Sequence, residues 1–203
     1  MQFHWTRQLA MAACLACGAG ALQAAAGHAE NAGKAGADAA AGTANGATQK
    51  ADAAFSAAER GFMVKAAASG LYEVEVSTLA GQKAATPAAK AFADMLVKHH
   101  TEANSELMQI GSRQRLALPP KATLPADKQA VISRLSKLSG PAFDRDYLRT
   151  VGIADHQRDI RLFEEASRTA RNPALKAWVD KTLPVLRQHL SQAQQIPLPT
   201  ATP

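Results

Sequence analysis

Four long stretches of this chain carry apolar side chains at the three- and four-residue spacing that places them on one face of a helix. The spacing predicts long helices over residues 55–85, 88–113, 141–171 and 173–195, with a short amphipathic helix over 125–138. Proline-containing breaks separate these stretches, and none of them alternates apolar and polar residues as a strand would. The sequence therefore predicts an all-α, up-down-up-down four-helix bundle with an extra short helix between long helices 2 and 3.

The composition favours a helical core over a sheet. Hydrophobic residues make up 47% of the 203-residue chain, but only 5% of the residues are aromatic, and alanine dominates. Alanine has the highest helix propensity, whereas aromatic and β-branched residues are enriched in strands. A chain of this length can bury one sizeable core.

The N-terminus is predicted to be a secretory signal peptide over residues 1–26. Arg7 precedes an apolar run over residues 9–22, and small residues follow that run. The run is shorter than the roughly 20 apolar residues that a membrane-spanning helix needs, so no transmembrane span is expected after signal removal. Both cysteines, Cys14 and Cys17, fall inside the signal, so the exported chain would have no disulfide and no thiolate ligand.

Three further segments complete the predicted domain organisation: an Ala- and Gly-rich linker over 27–53, the bundle over 54–196 and a tail over 197–203. The linker has no large apolar side chains to offset the entropy of ordering, and both it and the tail are predicted to be disordered. The signal predicts a periplasmic or outer-membrane-associated protein. The alternative to simple export is a lipid anchor at Cys17, which has small residues on both sides.

The charge pattern argues against nucleic acid as a partner. The formal net charge is +6, but the basic residues are scattered among acidic ones. A nucleic-acid-binding protein needs a basic face with aromatic or groove-fitting elements, and the sequence shows neither. We expect a solvated cationic surface that associates weakly with anionic components of the cell envelope. The sequence does not identify a protein partner.

Three histidines and one glutamate lie on the apolar faces of the four long helices. They are Glu73, His100, His156 and His189, one on each helix in chain order. Most residues three, four or seven positions from each of them are apolar, which places the four side chains in the bundle interior. A buried imidazole has two ring nitrogens to satisfy, and a buried carboxylate must be paired or coordinated. The four side chains therefore need a partner.

The same four residues are predicted to lie at one height in the bundle. In the alternating arrangement, the turns at Pro87 and Pro173 are at the same end. The residues of the first two helices are 14 and 13 positions from the first turn, and those of the last two are 17 and 16 positions from the second. At about 1.5 Å rise per residue, these separations are roughly 20 Å and 25 Å, which differ by about one helical turn. The side chains are therefore expected to form one site.

A divalent transition metal would satisfy both kinds of side chain at once. Three imidazoles and one carboxylate suit zinc, copper, nickel or iron better than magnesium or calcium, which prefer oxygen ligands. The sequence thus predicts one metal site with Glu73, His100, His156 and His189 as ligands. The alternative, which the sequence leaves open, is that these side chains hydrogen-bond to one another or to Tyr147 without a metal.

Other polar residues are weaker candidates for the site. His99 is expected at its rim, with Met95 on one side and acidic residues on the other, and Glu75 is expected at the boundary of the core. No strained turn presents a serine to a histidine, so no hydrolase is predicted. A non-catalytic or weakly redox-active metal-binding protein is expected rather than an enzyme.

Several segments resemble a bacterial family called domain of unknown function 4142, which belongs to the ferritin-like superfamily. The resembling segments are Gly70–Ala80, Phe92–His100, Leu138–Tyr147, Asp155-His156 and Leu183–His189. Their combined order and spacing are specific, although each segment alone is a weak signal. The resemblance implies a ferritin-like bundle, an export signal and an envelope location.

The resemblance also implies which residues surround the site. The family pattern matches at the four candidate ligands and at Asp144 and Tyr147, which implies that these two residues are neighbours of the site. His99 stands where the family usually has aspartate, so an imidazole replaces a carboxylate there. The Glu-x-x-His motif of the di-iron members of the superfamily does not occur in this chain, so the resemblance does not imply ferroxidase chemistry.

Overall fold

The computed structural model describes residues 54–119 and 124–200, and the regular secondary structure in them is helical. The elements are α1 (Ala57–Lys83), α2 (Pro87–Arg113), α3 (Ala126–Ser136), α4 (Gly140–Tyr147), a π-helical segment (Leu148–Asp155), α5 (His156–Thr169) and α6 (Pro173–Gln195). None of the helices in these residues has both the length and the apolar character required to cross a membrane. The predicted signal peptide with Cys14 and Cys17, and the predicted linker over 27–53, lie outside the described residues.

Local sequence signals determine where the three longest helices begin. Ser56 forms a capping box at α1, because its hydroxyl accepts from the Glu59 N–H and the Glu59 carboxylate accepts from the Ser56 N–H. Thr86 and Asn172 each accept a hydrogen bond from the backbone N–H three residues later, and a proline follows each of them at the first helical position. The all-α prediction is confirmed, and the predicted bounds of these helices agree with the structure to within two residues.

The long helices do not alternate in direction as predicted. α1 and α2 form a long antiparallel pair. α4, the π-helical segment and α5 form one continuous rod, since the backbone stays helical through both junctions. This rod is antiparallel to α1, because Ser69 bonds to Asp159 near one end and Ser77 bonds to Tyr147 near the other. α6 folds back along α5, so the four rods run up, down, down, up.

The long connection between α2 and α4 is the reason for this correction. α2 ends beside the start of α1, where Gln114 Oε1 accepts from the Phe55 N–H at 3.0 Å. α4 begins at the opposite end, where Asp144 Oδ1 accepts from the Ala85 N–H at 2.8 Å. The connection over residues 114–139 therefore joins opposite ends of the bundle. These ends are about 40 Å apart, which is the length of a 27-residue helix. Short connections favour antiparallel neighbours, but a long one can join parallel helices.

The π-helical segment in the middle of the rod was not predicted. In an uninterrupted α-helix, Tyr147 and His156 would lie about 180° apart around the axis, because successive residues are rotated by about 100°. Both side chains are nonetheless completely buried. A π turn contains more residues and rotates less per residue, so the segment absorbs about one extra residue and both ends of the rod face the core.

Two apolar clusters fill the core on either side of a polar layer. The first includes Phe62 and Phe163, whose rings meet edge to face with centroids 5.2 Å apart. The second includes Phe92 and Tyr147, whose centroids are 6.4 Å apart. On both α2 and α6, residues of the two clusters flank the central histidine. The polar layer is therefore closed off by apolar side chains above and below.

The chain after α6 keeps contact with the bundle. Leu198 packs against the second apolar cluster. The Pro199 carbonyl accepts a hydrogen bond from the Arg145 guanidinium at 3.2 Å. These contacts fall within residues 197–203, for which the sequence predicted a disordered tail.

Candidate metal centre

The structure brings Glu73, His100, His156 and His189 together near the middle of the bundle. Glu73 and His189 lie 16 residues after the starts of α1 and α6, and the other two lie 13 residues before the ends of α2 and α5. All four of these helix ends are at the same end of the bundle, so the residues are about 20 to 24 Å from it. Each residue is buried, with at most 6% of its surface exposed.

The four residues lie at a common height, as predicted, but the prediction wrongly placed the turns at Pro87 and Pro173 at the same end of the bundle. The turn before Pro87 bonds to Asp144 at one end of the bundle, and the turn before Pro173 bonds to Glu59 at the other. The two turns are therefore at opposite ends. Because the four residues lie near mid-height, counting residues from either end gives similar distances.

The polar atoms of these four side chains converge. His100 Nε2 lies 2.9 Å from Glu73 Oε2, and His156 Nε2 lies 3.6 Å from the same oxygen. His156 Nε2 is also 3.1 Å from His189 Nδ1. One nitrogen of each of the three histidines lies within 4.8 Å of the other two. This buried three-histidine group could hold a metal ion.

A backbone carbonyl fixes the protonation of His156. Its Nδ1 lies 2.9 Å from the carbonyl oxygen of Val151, in the π-helical segment. A carbonyl oxygen only accepts hydrogen bonds, so Nδ1 carries the proton. In the neutral ring Nε2 then has a free lone pair, and this atom faces Glu73 and His189. A backbone acceptor on the outer ring nitrogen is a common way of orienting a metal-binding histidine.

His99 is the partner of the outer ring nitrogen of His189, as the Val151 carbonyl is for His156. Its Nδ1 lies 2.9 Å from His189 Nε2, and the two rings are stacked with centroids 5.1 Å apart. If His189 donates from Nε2, its Nδ1 has a lone pair that faces His156. His99 is half-buried at the edge of the site, where the sequence placed it. It can therefore orient His189 without taking part in the inner group.

Glu73 has no hydrogen-bond donor for either carboxylate oxygen among the described residues, although its side chain is completely buried. His100 Nε2 approaches to 2.9 Å but makes no well-directed hydrogen bond, and this nitrogen too is without a hydrogen-bond partner in the described residues. Buried polar groups are almost always paired. A bound cation would satisfy Glu73 Oε2 and His100 Nε2 together, whereas an ion pair between these two side chains would satisfy them without one.

Burial and neighbouring charges determine the protonation of the group. Burial raises the pKa of Glu73, but His156 and His100 lower it more, to about 2. Burial lowers the pKa of His189, and the other two imidazoles lower it further, to about 2. Burial also lowers the pKa of His100, but the Glu73 carboxylate outweighs this and raises it. At neutral pH, Glu73 is therefore ionised and His189 is neutral, which are the forms that bind metals, whereas the raised pKa of His100 favours a proton that a metal would displace.

Asp144 and Tyr147 do not contact these four residues, contrary to what the family resemblance implied. The Asp144 carboxylate accepts from the backbone N–H groups of Ala85 and Thr86, both at 2.8 Å, and so secures the α1–α2 turn. It is 12 residues before His156 on the same rod, roughly 18 Å away. Tyr147 donates to Ser77 Oγ at 2.9 Å within the second apolar cluster. Both residues position helices rather than the site.

Asp155 is a buried functional neighbour that the sequence reasoning missed. Its carboxylate accepts from the Tyr72 hydroxyl at 3.1 Å and from Lys128 Nζ at 2.7 Å, and it also bonds to Arg158. Lys128 lies on α3, so this contact attaches α3 to the rod beside His156. The signal for it was the acidic residue directly before a core histidine. Asp155 is fully paired and does not need a metal.

Asp159 is a second carboxylate near the site, on the α1–α5 side. It accepts from Ser69 Oγ at 2.7 Å. Burial raises its pKa to about 6, and the negative charge of Glu73 contributes to the increase. The sequence placed it among scattered surface charges, because its partner Ser69 is 90 residues away in the chain.

A groove between α2 and α6 leads from the surface to His100 and His189. Its volume is about 350 Å³, and we call it the α2–α6 groove. Ala103, Val185 and Leu186 contribute apolar side chains to its walls. Glu73 and His156 do not line it.

Comparison with known proteins gives one result. Neither a search of curated proteins nor a search of solved structures returned a match. The profile of the family described as "Domain of unknown function (DUF4142)" matches residues 44–196, which is most of the chain and includes all four residues of the candidate site. The chain therefore belongs to the DUF4142 family.

Proposed function

We propose that this protein binds one divalent transition metal (zinc, copper, nickel or iron) in the middle of its helical bundle. The proposed ligands are Glu73, His100, His156 and His189, and His99 orients His189. Three nitrogens and one carboxylate oxygen are a usual donor set for these metals. The lone pair at His156 Nε2 faces the centre of the group, and so does that at His189 Nδ1 when His189 donates from Nε2 to His99.

Glu73 carries this proposal. Its carboxylate is completely buried, and its 2.9 Å contact with His100 Nε2 is not a well-directed hydrogen bond. An ionised carboxylate without partners costs several kcal/mol in a protein interior, so folded proteins pair or coordinate such groups. A cation at this position would satisfy Glu73 Oε2 and the nitrogens that face it.

The chain's own residues would hold the ion rigidly. Each ligand comes from a different rod, and the outer nitrogens of two histidines are bonded to Val151 and His99. Partners of this kind fix the orientation of a ligating ring and raise its basicity. A bound ion would supply Lewis acidity or, for copper and iron, one-electron redox chemistry. We assign no reaction to the site.

The proposed setting is the cell envelope. The apolar run behind Arg7 supports export, and export supports a periplasmic or outer-membrane-associated location. The net charge of +6 fits weak association with anionic envelope components. Two antiparallel helix pairs joined by one long connection support a place in the ferritin-like superfamily.

The second candidate function is a metal-free interaction or stress-protection module in the envelope. Two distances favour it: His156 Nε2 to His189 Nδ1 is 3.1 Å, and His99 Nδ1 to His189 Nε2 is 2.9 Å. Both are hydrogen-bonding distances, so the imidazoles could satisfy each other. In this network Glu73 has only the poorly directed contact with His100 Nε2 at 2.9 Å, which is why we prefer the metal.

A matched pair of substitutions tests the metal proposal. Purified wild-type protein incubated with zinc, copper, nickel or iron is expected to retain about one ion per chain of at least one of them. Glu73→Gln removes the charged ligand, so its affinity should fall by more than the roughly 10- to 100-fold that loss of an outer partner costs. Metal content and competition with a coloured chelator measure both quantities.

Glu75→Gln is the control, since Glu75 is half-buried on the same helix and two residues away. It should bind metal like the wild type. A wild type that retains none of the four metals, or a Glu73→Gln variant that binds as the wild type does, would rule out the proposed site.

A further inference from the structure

The four proposed ligands are unequally accessible. His100 and His189 line the α2–α6 groove, whereas Glu73 and His156 are completely buried behind them. Phe92 and Leu96 belong to the apolar cluster that closes one end of the polar layer. An ion held by all four ligands would therefore be reached from the groove.

The groove is large enough for a small molecule, and two of its polar side chains near the floor and the surface are already engaged. Its volume of about 350 Å³ is at the lower end of the range for small-molecule sites. The Thr182 hydroxyl donates to the Trp178 carbonyl at 2.7 Å, and Lys181 pairs with Glu106 at 2.6 Å near the surface. Glu102 and Gln188, two other polar residues of the wall, are exposed, so the floor at His100 and His189 is the buried place where a polar molecule would bind.

The charge of the proposed ion and its ligands indicates which class of molecule would bind at the floor of the groove. A divalent ion with three neutral imidazoles and one carboxylate has a net charge of +1 in its coordination sphere. Of the other carboxylates, Asp159 lies on the α1–α5 side and accepts from Ser69. Glu106 and Glu102 line the groove, but Glu106 pairs with Lys181 and Glu102 is exposed, so solvent screens its charge. In a poorly solvated site, a small monoanion neutralises the excess charge, whereas a neutral molecule does not.

We propose that the α2–α6 groove admits a small monoanion, which binds to the metal as an additional ligand beside His100 and His189. This inference rests on the proposed metal site and goes beyond it, because it assigns an exchangeable ligand position and the class of ligand that fills it. The neutral molecule that competes for the same position is water.

Cobalt(II) and azide are suitable probes. Cobalt(II) substitutes for zinc and has a visible spectrum that depends on the number and type of its ligands. Azide added to the cobalt-loaded protein at constant ionic strength should change this spectrum in a saturable way. Val185→Phe fills the groove without removing a ligand, so it should weaken azide binding at least tenfold while cobalt stoichiometry stays unchanged.

Val64→Phe is the matched control, because Val64 is 40% exposed on α1 and does not line the groove. It should leave both cobalt and azide binding at wild-type values. If Val185→Phe does not fold, as judged by circular dichroism, Gln188→Trp replaces it, since Gln188 is an exposed residue of the groove.

The outcomes separate the two proposals. Cobalt binding without a response to azide, or with the same response in the groove-filled variant, would overturn the groove proposal and leave metal binding intact. Failure of the wild type to bind cobalt, together with the other metals, would overturn both.

Discussion

At the scale of single residues, two imidazoles of the site are oriented by hydrogen bonds at the ring nitrogens that face away from its centre. His156 donates from Nδ1 to a backbone carbonyl, and His189 is bonded through Nε2 to His99. Each contact leaves the inner nitrogen free to act as a ligand. Residues outside the proposed ligand set are therefore expected to affect the affinity for the proposed metal.

His99→Ala is expected to weaken metal binding by about 10- to 100-fold, because it removes the partner that orients His189. His99→Asp should restore most of the affinity, since a carboxylate can also accept from His189 Nε2. Competition with a coloured chelator measures the affinities. Lys98→Ala, at the neighbouring exposed position, serves as the control. Equal affinities of His99→Ala and wild type would show that His99 is not an orienting residue.

At the scale of the elements, the π-helical segment allows one rod to bury two different faces. It accommodates about one residue more than an α-helix of the same length would, between Tyr147 and His156. Removing a residue there should therefore return the rod to an ordinary α-helix while keeping both faces toward the core. Removing a residue elsewhere in the rod should not.

Two single-residue deletions test this expectation. ΔArg149 removes an exposed residue from the π-helical segment, and ΔArg161 removes an exposed arginine from α5. ΔArg161 should lower the free energy of unfolding by more than about 3 kcal/mol, because it rotates Phe163 and Ala166 away from the core. ΔArg149 should lower the free energy of unfolding by less than half of that amount. Denaturant unfolding followed by circular dichroism gives both values, and equal costs would contradict the assigned role of the segment.

A second element-scale contact joins the start of α1 to the α5–α6 turn. Burial opposes ionisation of Glu59, but backbone N–H groups of Asn172, Ser56 and Arg171 donate to its carboxylate and lower its pKa below the ordinary value of 4.5. Because the pKa is lower in the folded state, the stabilisation is complete above pH 4.5. It is lost as the pH falls from there through the folded-state pKa.

Glu59→Gln should therefore lower the free energy of unfolding by about 1 to 3 kcal/mol at pH 7, the size of hydrogen bonds to a charged group. The difference from the wild type should shrink as the pH falls below 4.5. Urea unfolding at several pH values measures it. Glu165→Gln, which alters an exposed pair with Arg168, should change stability by less than about 0.5 kcal/mol. A difference that stays constant with pH would argue against this role for Glu59.

At the scale of the whole molecule, the proposed metal would join all four rods at mid-height. A ligand that binds only the folded state stabilises it, by about 2.7 kcal/mol when the free metal is at 100 times its dissociation constant. For a domain of this size, such a gain corresponds to a rise in Tm of roughly 5 to 10 °C. The metal-free alternative predicts no such gain.

Wild type and His156→Ala, each measured with and without metal, distinguish the two. His156→Ala is expected to lose stability through the cavity that it creates, and also to lose the increase in Tm that metal produces. Thermal unfolding by circular dichroism or calorimetry measures both effects. The same metal-dependent increase in both proteins would show that the ion binds elsewhere.

Much of this fold could be predicted from local signals. The helix bounds follow from apolar spacing, from caps such as Ser56, Thr86 and Asn172, and from the prolines after two of them. Burial of the four polar residues follows from the same spacing. These features depend on residues within one or two helical turns, and the sequence specifies them directly.

The sequence by itself determined which segments are helical and which four polar side chains face the core. Only the tertiary structure decided the parallel direction of α2 and the rod, the rotation at the π-helical segment, and the contact of His99 with His189. It also decided that Asp144 bonds to the α1–α2 turn and that neither oxygen of Glu73 accepts a well-directed hydrogen bond from the described residues. The physical reason is that each of these depends on how distant segments are turned toward one another, and packing of the whole core determines that rotation.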